Sequence, residues 1–380
     1  MKPKTSARGS SLFSSPSSLS RSVGQIQRRH ASTSSPTVSS PPKQRTWLRV
    51  AVVTIAAAGI GAYIRSYQDT TSTTLNPITF TPYYLVSKEP VSSTGSIFTL
   101  KAPKRASHNC EVYKEAWKTG VWSVMFKQPQ LQIGRDYTPL PPASVEKHEE
   151  LLRFFIRKDT FGEMSRYLHS LEIGTPIEMR GPKIECEIPP DVQEVLFIAG
   201  GTGIAPALQA GHTLLSRTDE THKPKIHILW ANRKRDDCVG GTNDSAVTSK
   251  PQTPWFLGLL KSSPAKPPPA DSNSSTSPFS SPIVKDLEAL KSQYPGQVTV
   301  DYFVDEENTF IGKKAILDLA DSTRPLQGSQ DQKLILVSGP EGFIGYMAGP
   351  KLWAQGMELQ GPLQGIIKEL DLKDWAVWKL

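Results

Sequence analysis

The chain has 380 residues, is 37% apolar and carries a formal net charge of +8. That length accommodates two domains of ordinary size beside a non-globular segment. The positive excess does not point to nucleic acid, because it is concentrated at one end. No Asp or Glu precedes Asp69, whereas Lys2, Lys4, Arg8, Arg21, Arg28, Arg29, Lys43, Arg45, Arg49 and Arg65 all do. Cys110, Cys186 and Cys238 are widely spaced and odd in number, which excludes a zinc pattern and a small-domain disulfide framework.

Residues 1–46 are Ser, Pro, Thr and basic side chains, with too little apolar surface to offset the entropy of ordering them. An acid-free, Arg- and Ser-rich start has the composition of a mitochondrial transit peptide, and Arg28-Arg29-His30-Ala31-Ser32 resembles a processing site. A disordered basic tail is the alternative on composition alone. Next comes an uncharged run from Val50 to Ile64, flanked by Arg49 and Arg65, with Trp47 and Tyr63 at its ends. The run falls short of the roughly 20 residues of a spanning helix. Snorkelling arginines and aromatic anchors extend it, so a single transmembrane anchor is expected over 47–65. Basic residues before it place the N-terminus in the matrix and the remainder in the intermembrane space, as an inner-membrane protein.

From residue 75 a core becomes possible. Ile78–Val86, Ser96–Lys101, Val121–Phe126 and Leu151–Ile156 read as short strands separated by Pro, Gly and polar clusters, the pattern of a small antiparallel barrel over 75–183. Ser165–Leu171 is its one helix-like stretch. Over 190–380 strands and helices alternate, as in an α/β domain with a parallel sheet. Val195–Ala199 is wholly apolar, as suits a strand buried on both faces, and a helix follows from about Ala205 to Leu215. Further strands fall at Lys225–Ala231, Val298–Phe303, Leu334–Ser338 and Ala376–Trp378. The Ser-, Pro- and Lys-rich stretch 240–282 reads as a disordered insertion, with Trp255–Leu260 its only apolar patch.

The chemistry gathers in four short motifs. Gly200-Gly201-Thr202-Gly203 joins the buried strand to its helix. Glycine there admits a phosphate to the backbone, and the helix N-terminus supplies free N–H groups, although tight turns need glycine anyway. Arg135-Asp136-Tyr137-Thr138 lies in the barrel region, Gly162-Glu163-Met164-Ser165 opens the short helix, and Ser338-Gly339-Pro340 follows the late apolar strand. In this order the chain resembles the ferredoxin reductase-type flavoproteins, the group containing NADH–cytochrome b5 reductase, over 75–380 apart from the insertion. The resemblance implies an antiparallel β-barrel FAD domain followed by an α/β parallel-sheet nucleotide-binding domain. It implies that Arg135 meets the FAD pyrophosphate, that Tyr137 and Thr138 pack beside the isoalloxazine, and that Gly162, Met164 and Ser165 meet the same pyrophosphate. Gly201, Thr202 and Gly203 would receive NAD(P)H, with Ser338, Gly339 and Pro340 flanking the nicotinamide.

Taken singly, Tyr137 reads equally as barrel core, Arg135 as a surface cation and His169 as structural. Hydride transfer between nicotinamide and flavin needs positioning rather than a protein base, so no catalytic residue and no metal ligand is assigned. Two departures stand out. Many such reductases carry Cys where this chain has Ser338. Arg233, in the basic run Asn232-Arg233-Lys234-Arg235, lies where the adenosine ribose is expected and could accommodate a 2′-phosphate, or it belongs to a solvated loop.

The layout of leader, anchor and reductase is similar to that of mitochondrial import factors for cytochrome c, inner-membrane FAD proteins. That implies electrons passing from NAD(P)H to an acceptor in the intermembrane space, ferric haem handled by the cytochrome c haem attachment machinery. The alternatives are a cytochrome b5 reductase-like enzyme reducing a small haem protein, and a non-catalytic FAD-binding assembly factor.

Overall fold

The computed structural model describes residues 46–68, 74–103, 109–142, 151–219, 222–245, 280–322 and 332–380. The expected leader, up to residue 45, and most of the expected insertion, including Trp255–Leu260, lie outside the described residues. The chain divides into two compact units, residues 1–67 and 68–380.

In the first unit, α1 spans Thr46–Gln68. The sequence leads to a membrane anchor over 47–65; among the described residues no helix is long and apolar enough to cross a membrane.

The second unit begins with β1 (Thr81–Pro90) and β2 (Gly95–Lys101), followed by α2 (Asn109–Thr119), β3 (Gly120–Gln128), β4 (Ile133–Tyr137), β5 (Pro139–Leu140), β6 (Leu151–Arg157), α3 (Glu163–Ser170) and β7 (Pro176–Glu187). These strands form one seven-stranded sheet in the order β4-β3-β7-β1-β2-β6-β5, and every pairing in it is antiparallel. Its two edge strands, β4 and β5, are separated in the chain by Thr138 alone. The sheet must therefore curl until its edges meet, and the barrel closes on the Arg135–Thr138 motif. Alternate residues fill the interior: Tyr83, Phe98, Trp122, Phe126 and Phe154 are all fully buried there. Helix α2, absent from the sequence expectation, seals one end. Asn109 accepts the Leu75 N–H at 2.7 Å, and Tyr113 is hydrogen-bonded to Tyr83 through the two hydroxyls.

The α/β half contains β8 (Val192–Gly200), α4 (Ile204–Leu215), β9 (Lys225–Asn232), α5 (Pro282–Gln293), β10 (Val298–Val304), α6 (Lys313–Ser322), β11 (Gln332–Ser338), α7 (Glu341–Ala348), a hairpin of β12 (Leu352–Ala354) and β13 (Met357–Leu359), α8 (Gly365–Leu370) and β14 (Trp375–Lys379). Its sheet runs β10-β9-β8-β11-β14 and is parallel throughout. The alternation of each strand supplies two cores. Val195 and Phe197 face α4, α5 and the barrel, whereas Leu196 and Ile198 face α6, α7 and α8. Both ends of the expected insertion are folded. Asn243 Oδ1 and Asp244 Oδ2 accept the Tyr302 and Val300 N–H groups of edge strand β10 at 2.7 and 2.8 Å. Ser281 caps α5 ahead of Pro282, as the start of a helix prefers.

Helix α4 is buried on nearly every side because it lies between the sheet and the barrel. Gln209, fully buried, joins them. Its Oε1 accepts from the Trp122 N–H at 2.8 Å, and its Nε2 donates to the Pro139 carbonyl at 2.8 Å. One turn on, the Thr213 hydroxyl donates to the Trp117 carbonyl at 2.8 Å. Gln209→Leu leaves a donor and an acceptor buried without partners, at about 1–3 kcal/mol each. We therefore expect equilibrium urea unfolding to register a loss of about 2–6 kcal/mol. His212, on the same helix, packs edge-on against Trp117 with ring centroids 5.5 Å apart. Burial holds its pKa below the ordinary value of 6.5, so the unfolded chain protonates more readily than the folded one. The stability it contributes is complete above about pH 6.5 and is lost as pH falls through the depressed value. Thermal melts at pH 7.5 and pH 5.5 should show a larger acid-side drop in the wild type than in His212→Leu.

Candidate functional site

Strand β8 sits at the point where the strand order reverses. The chain steps from β8 to β9 and β10 on one side, then returns to β11 on the other. The crevice at such a switch point is where open α/β sheets bind ligands. Here it is lined by the turns that follow β8 and β11. Gly203 and Ser338 are packed so closely that a Cβ on Gly203 would stand 2.4 Å from the Ser338 carbonyl oxygen. Gly201 has φ +56, a left-handed conformation that glycine adopts without steric cost. Its carbonyl accepts the indole N–H of fully buried Trp230 at 2.9 Å. The residues demanded by this turn are therefore the residues that also open its backbone to a phosphate.

Two cavities meet there. One, of about 610 Å³, lies between the barrel and the α/β half and is lined by Tyr137, Thr138, Thr202, Gly203, Arg233, Ser338, Gly339 and Pro340, with Arg157. The second, of about 630 Å³, runs along the sheet from Gly200 and Gly201 past Asn232 and Asp305 to Phe310, Phe343 and Tyr346. Arg157, Arg233 and Pro340 line both, which makes one continuous cleft. Burial pushes the Tyr137 phenol up to about 12, with Arg135 pulling the other way, so it is a neutral donor at ordinary pH. Asn232 is buried at the end of β9, and its amide oxygen and nitrogen have no hydrogen-bond partner among the described residues. A polar group in the second cavity would complete them.

The remaining expected residues lie around the cleft rather than in it. Arg135 is exposed on β4, its Nη1 donating to the Gly134 carbonyl at 2.9 Å. Met164 is barrel core. The Ser165 hydroxyl accepts the Asp159 N–H at 3.0 Å and donates to the Gly162 carbonyl at 3.1 Å, tying down the loop that leads into α3. Asp159 and Thr160 of that loop line the first cavity, and α3 packs beside β4.

The basic run after β9 is compensated by acids at the end of β10. Glu307 takes the Arg235 guanidinium through both its oxygens, the Nε contact being 2.6 Å, and Glu306 accepts the Arg235 N–H at 2.6 Å. Arg233 alone of the expected basic residues joins Asp305 in facing the second cavity. Sequence reasoning missed Arg157. It ends β6 where an alternating strand puts an ordinary solvent-facing charge, and nothing local indicates that it crosses to the Gly201 turn.

The residues fit a flavin and a nicotinamide dinucleotide: a glycine cradle too tight for a side chain, a neutral phenol beside it, and unpaired buried amide atoms along the sheet. Residues 82–188 match the oxidoreductase FAD-binding domain family, and residues 197–248 match the oxidoreductase NAD-binding domain family. An uncharacterized FAD-binding protein of Schizosaccharomyces pombe is 27% identical over 335 residues, covering 86% of this chain and 96% of that one. The NADH-cytochrome b5 reductase 2-A of Vanderwaltozyma polyspora is 24% identical over 300 residues, covering 77% and 80%. The cytochrome c mitochondrial import factor of Saccharomyces cerevisiae is 35% identical over 127 residues, covering 30% of this chain and 34% of that protein. Among solved structures, the flavohemoglobin of Malassezia yamatoensis superposes with TM-score 0.50 at 14% identity, covering 82% of this chain and 63% of that one, a likeness of fold.

Barrel, parallel sheet and shared cleft define a two-domain flavin reductase. The chain pairs an oxidoreductase FAD-binding domain with an oxidoreductase NAD-binding domain, as an NAD(P)H-dependent FAD oxidoreductase similar to the cytochrome b5 reductases. Gly203→Ala should force the turn away from β11. We expect the variant to retain FAD but to lose about a hundredfold in the rate of flavin reduction by coenzyme, read by stopped-flow absorbance.

Proposed function

We propose that this reductase takes a hydride from NAD(P)H and delivers electrons to haem iron in the mitochondrion, within cytochrome c maturation. The observation that carries the reductase part is the single cavity shared by Tyr137 and Thr138 of the barrel closure and Gly203 and Ser338–Pro340 of the α/β half. It lets the flavin-side and nicotinamide-side residues face one space. FAD, when bound, supplies the means to accept a hydride pair and release electrons singly, as ferric haem requires. The chain's own part is to bind and orient. Tyr137 and Thr138 would hold the flavin, the Gly201–Gly203 turn the coenzyme phosphates, and Ser338 to Pro340 the nicotinamide. Arg135, on the strand beside α3, would reach the FAD pyrophosphate on that side, with Gly162 and Ser165 at the helix start.

The acceptor is supported by two relatives, one named for cytochrome b5 and one for cytochrome c. A haem protein is common to both names. The mitochondrial setting is supported by the import-factor relative and by the acid-free basic leader. On the coenzyme, the acids at 305–307 favour a free ribose over a 2′-phosphate, since Glu307 already occupies Arg235 and Asp305 faces the cavity. Anaerobic titration of the full chain should bleach the flavin, with NADH saturating at lower concentration than NADPH. Reduced protein should then pass electrons to ferric haem or haem-loaded cytochrome c attachment components faster than to cytochrome b5. Faster reduction of cytochrome b5 would move the chain to the b5 reductase activity, and a flavin inert to both coenzymes would remove the enzymatic reading.

A further inference from the structure

Three separate segments converge where the two cavities join. Asp237, in the turn after β9, is 3% exposed. Its Oδ2 lies 2.5 Å from Arg157 Nη2 at the end of β6. Its Oδ1 accepts the Ser92 hydroxyl at 2.7 Å, and the neighbouring Asp236 accepts the Ser93 N–H at 2.6 Å. The α/β half thus grips the β1–β2 turn of the barrel and, through the same carboxylate, a barrel arginine. An acid after the second strand of a dinucleotide fold commonly meets a ribose hydroxyl. Asp237 has both oxygens engaged by protein partners and is almost sealed from solvent, so that task is not open to it.

What Asp237 leaves available on Arg157 is informative. A guanidinium has five N–H groups in a rigid plane, and a carboxylate engaging Nη2 leaves the other nitrogens free to meet an anion. Arg157 Nη1 is the nearest atom to the space over Gly201, 3.4 Å from where a Cβ on that glycine would stand. Arg157 Nε is buried and has no hydrogen-bond partner among the described residues. The same side chain lines both cavities.

We propose that Asp237, braced by Ser92, is the positioning residue for Arg157, and that Arg157 so held binds the pyrophosphate of the nicotinamide coenzyme over the Gly201 turn. The inference rests on the NAD(P)H reductase activity and adds the residues that anchor its donor. A long side chain fixed in advance binds without first losing its rotamer freedom. The coenzyme site is then shared: Ser92 and Arg157 come from the barrel, Asp237 and Gly201 from the α/β half. It is complete only when the two halves are docked.

The test uses the full-length, FAD-loaded protein with Asp237→Asn, Ser92→Ala and Arg157→Lys, and the competitors ADP and AMP against NADH. ADP carries the pyrophosphate and AMP lacks it. Asp237→Asn should weaken ADP and raise the KM of NADH and NADPH alike, by about tenfold. AMP inhibition and kcat at saturating coenzyme should stay at wild-type values. Ser92→Ala should shift ADP in the same direction by less, and Arg157→Lys should lose ADP affinity because an ammonium cannot serve carboxylate and pyrophosphate with one planar fork. Equal weakening of ADP and AMP would mean a collapsed cleft and overturn the proposal. So would unchanged ADP affinity, or a fall in KM for NADPH alone, which would put Asp237 against the ribose. Wild-type flavin that neither coenzyme bleaches would instead overturn the underlying reductase activity, a separate result visible before any variant is made.

Discussion

The buried amide of Gln209 is the interaction on which the geometry of the cleft depends. Apolar packing of α4 against the barrel is large but non-directional. On its own it would tolerate slippage of the helix by a fraction of a turn. An amide buried with both ends paired does not tolerate it, because any displacement strands polar groups away from water. Gln209 bridges Trp122 of β3 and Pro139 of β5, and Pro139 is the residue after Thr138. Helix α4 begins directly at the Gly201–Gly203 turn. One side chain therefore sets the register between the strand end assigned to the flavin and the turn assigned to the coenzyme.

The cleft lies where two topological discontinuities coincide. The barrel closes at Thr138, where edge strands β4 and β5 meet, and the parallel sheet reverses its order between β8 and β11. At each place the backbone leaves regular pairing, so its polar groups and side chains are free to face a ligand. The glycines at 201 and 203 follow from this arrangement: one turns the chain through a left-handed conformation, and the other lets the turn into α4 lie against the Ser338 carbonyl.

Charge in the second unit is used mainly to hold protein to protein. Asp237 and Asp236 grip the barrel turn, and Glu307 neutralises Arg235. Lys183 lies between Asp136 and Glu185 at 3.1 and 3.0 Å. Pairs at the surface contribute little to stability individually. Their effect here is to decide which cations remain directed at the cleft, where Arg157, Lys158, Arg233 and Lys234 line the walls. The basic run after β9 looks like a phosphate site as a string of letters, and in space Arg235 is already partnered by Glu307.

The two-domain order, the antiparallel-then-parallel arrangement of strands and the glycine turn were legible in the order of residues. Alternation, buried apolar runs and strand-to-helix glycines are local signals with a period that survives in one dimension. Tyr137, Thr138, Gly203 and Ser338–Pro340 stand in contiguous motifs, and the fold brings those motifs to one cavity. Only the folded chain shows that α2 seals the barrel and that Ser165 turns its hydroxyl inward. It alone brought Arg157, Asp237 and Ser92 together. An ion pair across 80 residues of chain and a hydrogen bond across 145 leave no periodicity to read, since what joins them is the docking of a barrel edge onto a sheet end. The fold was legible because it repeats along the chain; the charged part of the site was not, because it exists only where distant segments meet.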